Sequence, residues 1–412
     1  MRIRRFAIAV FAVVLAGCGS EVTGTALPGE IDIRTLDVGS FPTEPVNAHD
    51  DDPAPDFYEM YNVAGMRIAS HVIDAAVIDP RMKYGTGARA FSDGTTPWEF
   101  GDYDVIEPIA EKHKMLYGFL SAGASSDSTV SAMSGWPMNE PTNEFTAATM
   151  VLQFPDADRA TAAAQEFHDA DLAALEGRNQ PVSIPGYPAA RSHWRPDSPF
   201  LRTLLPHGPY VLAFLLSVDK PDQNALTALA ATAYDKQIKA LADVPILTDE
   251  EVYTLPFDPD HLLVRTLNPD QFTFPGGDGS HTVTTRAGAL HFAGTSGVPL
   301  SPERDRIAEQ FAAMNAEQVA FSHGTMTIRT TDPASAQRAV TDKLFPHHPK
   351  ADAAAPPNLP QSACVENRTL DGAKRFSCLV AYKQYVGVVG GSQLLDAHQR
   401  AAAQYALFAN TR

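Results

Sequence analysis

The sequence predicts an α+β protein built as two tandem α+β halves, with mainly antiparallel sheets packed by helices. Three observations carry this expectation. Strand-like runs are followed by amphipathic helices without a strict β-α-β alternation. The order of elements that begins near residue 146 begins again near residue 325. Two cysteines, Cys364 and Cys378, lie symmetrically about a hairpin turn.

Ahead of the halves, residues 1–17 read as a signal peptide. Arg2, Arg4 and Arg5 form a positive start, and Phe6 to Ala16 is an unbroken apolar run. Such a run is too short to cross a bilayer as a helix, which needs about 20 residues, and suits a signal-peptide core. It ends in Leu15-Ala16-Gly17-Cys18, which resembles the bacterial lipobox. That resemblance implies that Cys18 takes up a diacylglycerol through a thioether, becomes the new N-terminus and is N-acylated. Two or three acyl chains anchor stably where one would be marginal. Residues 18–30 then read as a lipidated N-terminus and tether, and the expected location is the extracytoplasmic face of the cell membrane.

The first half is expected over residues 31–248. Thr146 to Phe154 reads as a strand, and Asp156 is a suitable N-cap for the helix that follows. Ala160, Ala163, Ala164, Phe167, Ala170 and Ala174 mark one helical face, and Gly177 suits its end. Strand-like pieces follow at Ala189–Trp194 and Tyr210–Ser217, then a helix with Leu226, Ala230, Tyr234, Ile238 and Leu241 in a stripe. The boundary falls in the Asp243–Glu251 region, and the second half is expected over residues 249–412. Thr325–Thr330 alternates as a strand, Asp332-Pro333 combines an N-cap with a proline at N1, and the helix is expected to run towards Leu344-Phe345. Val380–Val389 supplies a further strand. The last helix carries Leu394, Ala397, Ala401, Tyr405 and Phe408 on one face. A weaker echo links Arg34-Thr35-Leu36 and Phe41 to Arg265-Thr266-Leu267 and Phe272 at an offset of 231.

Between the cysteines, Leu370-Asp371-Gly372 has the form of a three-residue hairpin loop with glycine at the left-handed position. Closing it on Thr369 and Ala373 makes paired positions sum to 742, and Cys364 and Cys378 share that sum. The favoured turn thus sets the two thiols opposite each other, where a disulfide can close. A loop of this size contributes roughly 3 kcal/mol in the chain-entropy model. Free thiols or a metal pair are the alternatives.

The stretch Gly24-Thr-Ala-Leu-Pro-Gly-Glu-Ile-Asp32, followed by Leu36-Asp-Val-Gly39 and Pro42-Thr-Glu-Pro45, looks like a family of actinobacterial lipoproteins catalogued as domain-of-unknown-function family 7373. The likeness is sharpest over residues 15–45. It implies a cell-envelope location and a two-part body, and it carries no activity and no catalytic residues.

Charge narrows the function classes. The chain holds 32 basic and 49 acidic residues, a net charge of −17, and a field of that sign repels nucleic acid and anionic lipid surfaces. The expected partners are therefore the membrane, through the N-terminal lipid, and an envelope protein, glycan or lipid ligand. No Walker, G-x-S-x-G or dinucleotide fingerprint occurs, so no cofactor is expected. Ser217-Val-Asp-Lys220 matches S-x-x-K, but Lys220 precedes a proline and the companion motifs are missing. His49, Asp50, Asp51, Asp52 and Asp56 read as a solvated loop rather than a cation site, and His347-His348 lacks a spaced third ligand for zinc. The carboxylates Glu140 and Glu144 cannot be paired from sequence. Phe57, Tyr58, Tyr61, Trp98, Phe100 and Tyr103 cluster in the first half, as core or as a ligand groove. The reading that results is a non-catalytic binding or scaffolding module; an extracellular hydrolase with an unrecognised site is the alternative.

Overall fold

Tyr210–Ser217 reads Tyr-Val-Leu-Ala-Phe-Leu-Leu-Ser, apolar on both alternating faces, and every residue of it is buried. A strand of that kind needs helices on both sides of its sheet, and the fold provides them. The computed structural model describes residues 31–45, 57–91, 101–126, 144–174, 177–256, 258, 260–269, 281–284, 304–322, 324–345, 349–367 and 375–411.

The first half opens with α1 (Phe57–Ile68) and the short α2 (Ala75–Ile78). It continues with β1 (Tyr84–Phe91), α3 (Tyr103–Lys112), β2 (Tyr117–Ala124), β3 (Thr146–Gln153), α4 (Ala157–Ala173), β4 (Gln180–Pro181), β5 (Arg191–Trp194), β6 (Phe200–His207), β7 (Tyr210–Ser217) and α5 (Gln223–Leu241). After a short α6 (Asp249–Tyr253), the second half runs β8 (His281–Thr284), α7 (Arg304–Ala313), β9 (Ala316–Ser322), β10 (Thr325–Thr330), α8 (Pro333–Thr341), β11 (Pro349–Ala353), β12 (Ser362–Asn367), β13 (Phe376–Tyr382), β14 (Tyr385–Gly391) and α9 (Leu394–Asn410).

The sheet orders are β1-β2-β3-β7-β6-β5-β4 and, read from its other edge, β8-β9-β10-β14-β13-β12-β11. From β1 and from β8 onward the element order is the same, and so is the strand order. Every strand pairing is antiparallel. The chain is therefore α+β with two tandem halves, each a β-α-β-β-α-β-β-β-β-α module around its own sheet.

In the first half the sheet is covered on both faces. One apolar layer joins it to α1, α2 and α5 through Tyr61, Phe119, Phe214 and Tyr234. The other joins it to α3 and α4 through Ile106, Phe154, Phe167 and Leu215. In the second half Phe311, Ile328, Ala339 and Leu379 form the layer under α7 and α8, and α9 covers β13 and β14.

Two glutamines show how closely the halves correspond. Gln237 of α5, fully buried, accepts from Ile73 N at 2.9 Å and donates to His71 O at 2.8 Å. Gln404 of α9, also fully buried, accepts from Leu267 N at 2.8 Å and donates to Arg265 O at 2.6 Å. Each final helix thus satisfies a buried carbonyl and a buried N–H two residues apart in the segment that leads into its own half. The structural counterpart of Arg265–Leu267 is His71–Ile73; the sequence echo at residues 34–36 lies elsewhere. Gln404 fits because position 387 is glycine: a Cβ there would stand 2.5 Å from Gln404 Cγ.

The connector is fastened to both sheets. Gln153 Nε2 donates to Leu247 O at 2.5 Å, and Gln318 Nε2 donates to Asp260 Oδ2 at 2.8 Å. Tyr61 of α1 donates to Asp249 at 2.7 Å, and Arg67 donates to Pro256 O at 2.6 Å. Asp258, fully buried, accepts from Leu262 N and Val264 N; burial pushes its carboxyl pKa up against those bonds. Residues 33–45, which precede the first half in sequence, lie on α9. Asp37 accepts from Gln399 Nε2 at 3.1 Å, the Arg400 guanidinium sits 4.6 Å from the Phe41 ring centre, and Asn410 donates to Thr43 O at 2.8 Å.

Three element expectations change. The run Val380–Val389 is two strands with a turn at Lys383-Gln384, where Lys383 adopts φ 49. The helix after Asp332 stops at Thr341, because Lys343 turns left-handed at φ 52 and sends the chain back to bury Phe345. On α4 the buried face continues through His168 and Asp171, while Ala170 is half-buried and Ala174 exposed.

Candidate functional site

The cysteine pair is where the hairpin register places it. Cys364 faces Cys378, Ala363 faces Leu379 and Val365 faces Ser377, and the two cysteines form a disulfide. The proposed turn at residues 370–372 lies outside the described residues. The matching place in the first half follows from the two hairpins that end at Tyr210 and Tyr385, since His207 faces Tyr210 as Tyr382 faces Tyr385. Thr203 then stands where Cys378 stands, and Thr203 faces Ser192. Those two hydroxyls hydrogen-bond at 2.5 Å, and Thr203 also meets the Tyr234 hydroxyl at 2.7 Å.

One residue along, on the opposite face of the sheet, the halves diverge in chemistry. The second half has Val365 facing Ser377, and the first has His193 facing Arg202. There α4 is longer than α8, 17 residues against 9, and its extra turns carry His168 and Asp171. Asp171, 7% exposed, accepts from Arg202 at 2.8 Å and lies 3.4 Å from His193 Nε2. The His168 and His193 rings stand 5.4 Å apart. Asn179 closes the end of α4 by donating to the Asp171 and Leu172 carbonyls.

Burial sets the protonation states. Desolvation lowers the His193 pKa to about 3, reinforced by the charges of Arg202 and Arg195, so His193 is neutral near pH 7. Its approach to Asp171 Oδ2 at 3.4 Å is then that of a neutral ring to a carboxylate, without a hydrogen bond, and the ion pair is Asp171–Arg202. Desolvation also raises the Asp171 pKa, opposed by the Arg202 guanidinium. Asp171 Oδ2, His193 Nδ1 and His168 Nε2 are buried without a hydrogen-bond partner. Beside them opens a small pocket of about 60 Å³, lined by Asp171, Ala174, Asn179, His193, Trp194, Arg195, Phe200 and Arg202.

The sequence match now has a structure to stand on. The model described as Domain of unknown function (DUF7373) N-terminal matches residues 51–257, half of the chain. Its companion, Domain of unknown function (DUF7373) C-terminal, matches residues 262–411. The chain belongs to the DUF7373 family. No curated protein matches it. A solved structure, the extracellular domain of PknH from Mycobacterium tuberculosis, aligns over 46% of this chain and 99% of its own at 13% identity, with a TM-score of 0.29. A likeness at that score carries no argument about fold or function.

The other sequence candidates of this DUF7373 chain do not converge on a site. Ser217 is buried at the end of β7, bonded to Thr146 Oγ1 at 2.7 Å and donating to Glu144 O at 2.8 Å. A serine at a strand end with its hydroxyl so engaged is no S-x-x-K nucleophile, which needs a helix start. Tyr61 belongs to the connector, and Tyr103 is exposed beside Glu107. Cys18, His49, Asp50, Asp51, Asp52, Asp56, Trp98, Phe100, Glu140, His347 and His348 lie outside the described residues, as do the side chains of Phe57 and Tyr58. Among the described residues, no helix is long and apolar enough to cross a membrane, and no group of three or more His, Cys, Asp or Glu could hold a metal ion.

The His168–Asp171–His193–Arg202 cluster was not anticipated. Its signal was present: Asp171 lies four residues after Phe167, so helical spacing puts a carboxylate on the buried stripe. Its partners come from β5 and β6, and one sequence does not say which strands lie beneath that stripe.

Proposed function

We propose that this DUF7373 protein is a lipid-anchored lipoprotein of the cell envelope that binds or scaffolds on the extracytoplasmic side without catalysis. The observation that carries the reading is the sequence Leu15-Ala-Gly-Cys18 directly after an apolar run with arginines before it. A thiolate at that position is the nucleophile that takes up the lipid. A cystine clasping facing strands suits an oxidising compartment. The excess of acidic residues argues against nucleic acid as a partner. The binding half of the reading rests on the pocket at the end of α4, whose aromatic and basic lining is the kind that holds a ligand.

The test is fractionation with mass spectrometry of the N-terminal peptide. Wild-type protein should be in the membrane fraction with an acylated Cys18. Cys18→Ala should be released, or stay uncleaved. An unmodified Cys18 on a mature membrane-bound chain would refute the anchor.

A further inference from the structure

A buried charge, two buried imidazoles and a lengthened helix are not what this module needs in order to fold. The second half builds the same sheet with Val365 and Ser377 at the corresponding strand positions and a helix eight residues shorter than the 17 of α4. Placing Asp171 under α4 removes its charge from water and partly covers Arg202, and burial of an ion pair is at best roughly neutral against an apolar packing. In the first half it also leaves Asp171 Oδ2, His193 Nδ1 and His168 Nε2 buried without a partner. Groups arranged at a loss to the fold, beside a pocket, are the pattern of a site for something else.

The pocket says what kind of thing. Its formal charges are Arg195, Arg202 and Asp171, with His193 neutral, so it is net positive on a chain of charge −17. Arg202 is pinned on one side by Asp171 and keeps 28% of its side chain exposed. Arg195 has no carboxylate partner among the described residues, yet its charge is felt by both Asp171 and His193. Two guanidiniums, each a planar fork of donors, match the oxygens of a carboxylate or phosphate. Trp194 and Phe200, both half-buried, offer apolar ring faces beside them.

We propose that this pocket binds a small ring-bearing oxyanion, with a carboxylate or phosphate held by Arg195 and Arg202 and the ring against Trp194 and Phe200. The proposal deepens the binding reading above and stands apart from the lipid anchor. Asp171 and His193 are then positioning residues that fix the Arg202 fork and keep the floor of the pocket neutral.

Isothermal titration of the exported chain from residue 19 onward tests it with four probes: glucuronate, glucose 6-phosphate, glucose and inorganic phosphate. The two acidic sugars distinguish carboxylate from phosphate, and at least one should saturate a single site. Glucose and inorganic phosphate should each bind at least tenfold more weakly than that sugar, because each lacks one of the two features. Arg195→Gln should weaken the acidic sugar at least tenfold and Trp194→Leu severalfold, with circular dichroism unchanged. Arg159→Gln, at the far end of the same helix, should bind as wild type. No saturable binding by any probe, equal binding of inorganic phosphate alone, or binding that survives Arg195→Gln would each overturn the site. None of these results bears on the acylation of Cys18, which fractionation decides separately.

Discussion

At one position in each half, two facing residues on neighbouring strands are joined beneath the last helix: Ser192 to Thr203 in the first, Cys364 to Cys378 in the second. The first joint is a pair of hydroxyls shared with Tyr234; the second is covalent. The difference fits what lies around each. The first half covers both faces of its sheet with long helices and a large apolar layer on each side. In the second, α8 has 9 residues against the 17 of α4, so that face has less apolar area to remove from water. A cross-link that narrows the unfolded ensemble supplies what a smaller core does not. One module has thus been stabilised in two currencies, packing and covalency.

The comparison predicts the largest losses where the halves agree. Gln237→Ala should leave the Ile73 N–H and the His71 C=O unpaired, and Gln404→Ala should leave the Leu267 N–H unpaired and the Arg265 C=O with only the long bond from Thr327 Oγ1, at about 1–3 kcal/mol for each group left without a partner. Thermal denaturation should show both variants strongly destabilised and to a similar degree. A Gln404→Ala variant as stable as wild type would break the equivalence of the two clamps.

Next comes the joint itself. Cys364→Ser with Cys378→Thr gives the second half the chemistry of the first, and should lower stability by roughly 3 kcal/mol, less about 1 kcal/mol for any hydrogen bond that forms. Conversely, Ser192→Cys with Thr203→Cys should form a cystine spontaneously on export, detectable by non-reducing peptide mapping. Failure to bridge would show that the two places are less alike than their registers state.

The third test concerns the face on which the halves differ. His193 is held near 3 in the folded protein against 6.5 for an exposed ring. As pH falls below 6.5 the unfolded chain takes up that proton first, so stability is lost from about pH 6.5 downward towards 3, by at most about 1.4 kcal/mol per pH unit. Asp171 works in the opposite sense. Its raised pKa makes its burial most costly at high pH and relieves that cost when the carboxyl is protonated. His193→Val, the residue type of the second half, should flatten the acid side of a denaturation-against-pH profile between those limits. An unchanged slope would assign the acid sensitivity to other groups.

The smallest effect is at the hairpin turns. Gly208 and Lys383 hold corresponding positions with φ 56 and φ 49, and only glycine adopts that region without steric cost. Lys383→Gly should raise stability by about 0.5–1 kcal/mol, read as a small upward shift in Tm.

What could be read from the sequence follows the same division. The strands with long apolar runs and the helices with clean caps are legible: Tyr210–Ser217 and Thr325–Thr330 are strands with those limits, and Asp156 and Asp332 cap their helices. The elements at the other edge of each sheet, β1 and β2 above all, are hidden. Close packing there selects small residues: a Cβ on Gly123 would stand 2.8 Å from the Ala75 Cβ and 2.9 Å from the Tyr84 carbonyl. Small residues pack well and signal weakly. The β13–β14 turn is hidden because Lys383-Gln384 contains neither glycine nor asparagine, the residues that announce a two-residue hairpin. The disulfide was legible because its two cysteines face each other on neighbouring strands close together in sequence. The Asp171–His193–Arg202 cluster was not, because three elements bring it together and only one of them shows a misplaced charge.

The docking of residues 33–45 on α9 sets an order of events. Asp37 and Gln399 meet across 362 positions of chain, so the segment synthesised first waits for a helix synthesised much later. Contacts of such separation form late, since the loop must close before they repay it. Until α9 is in place, residues 33–45 are an uncovered stretch of backbone open to proteolysis. A chain that stops short, or whose second half fails to close, therefore carries the mark of its failure far away in sequence, at residues 33–45.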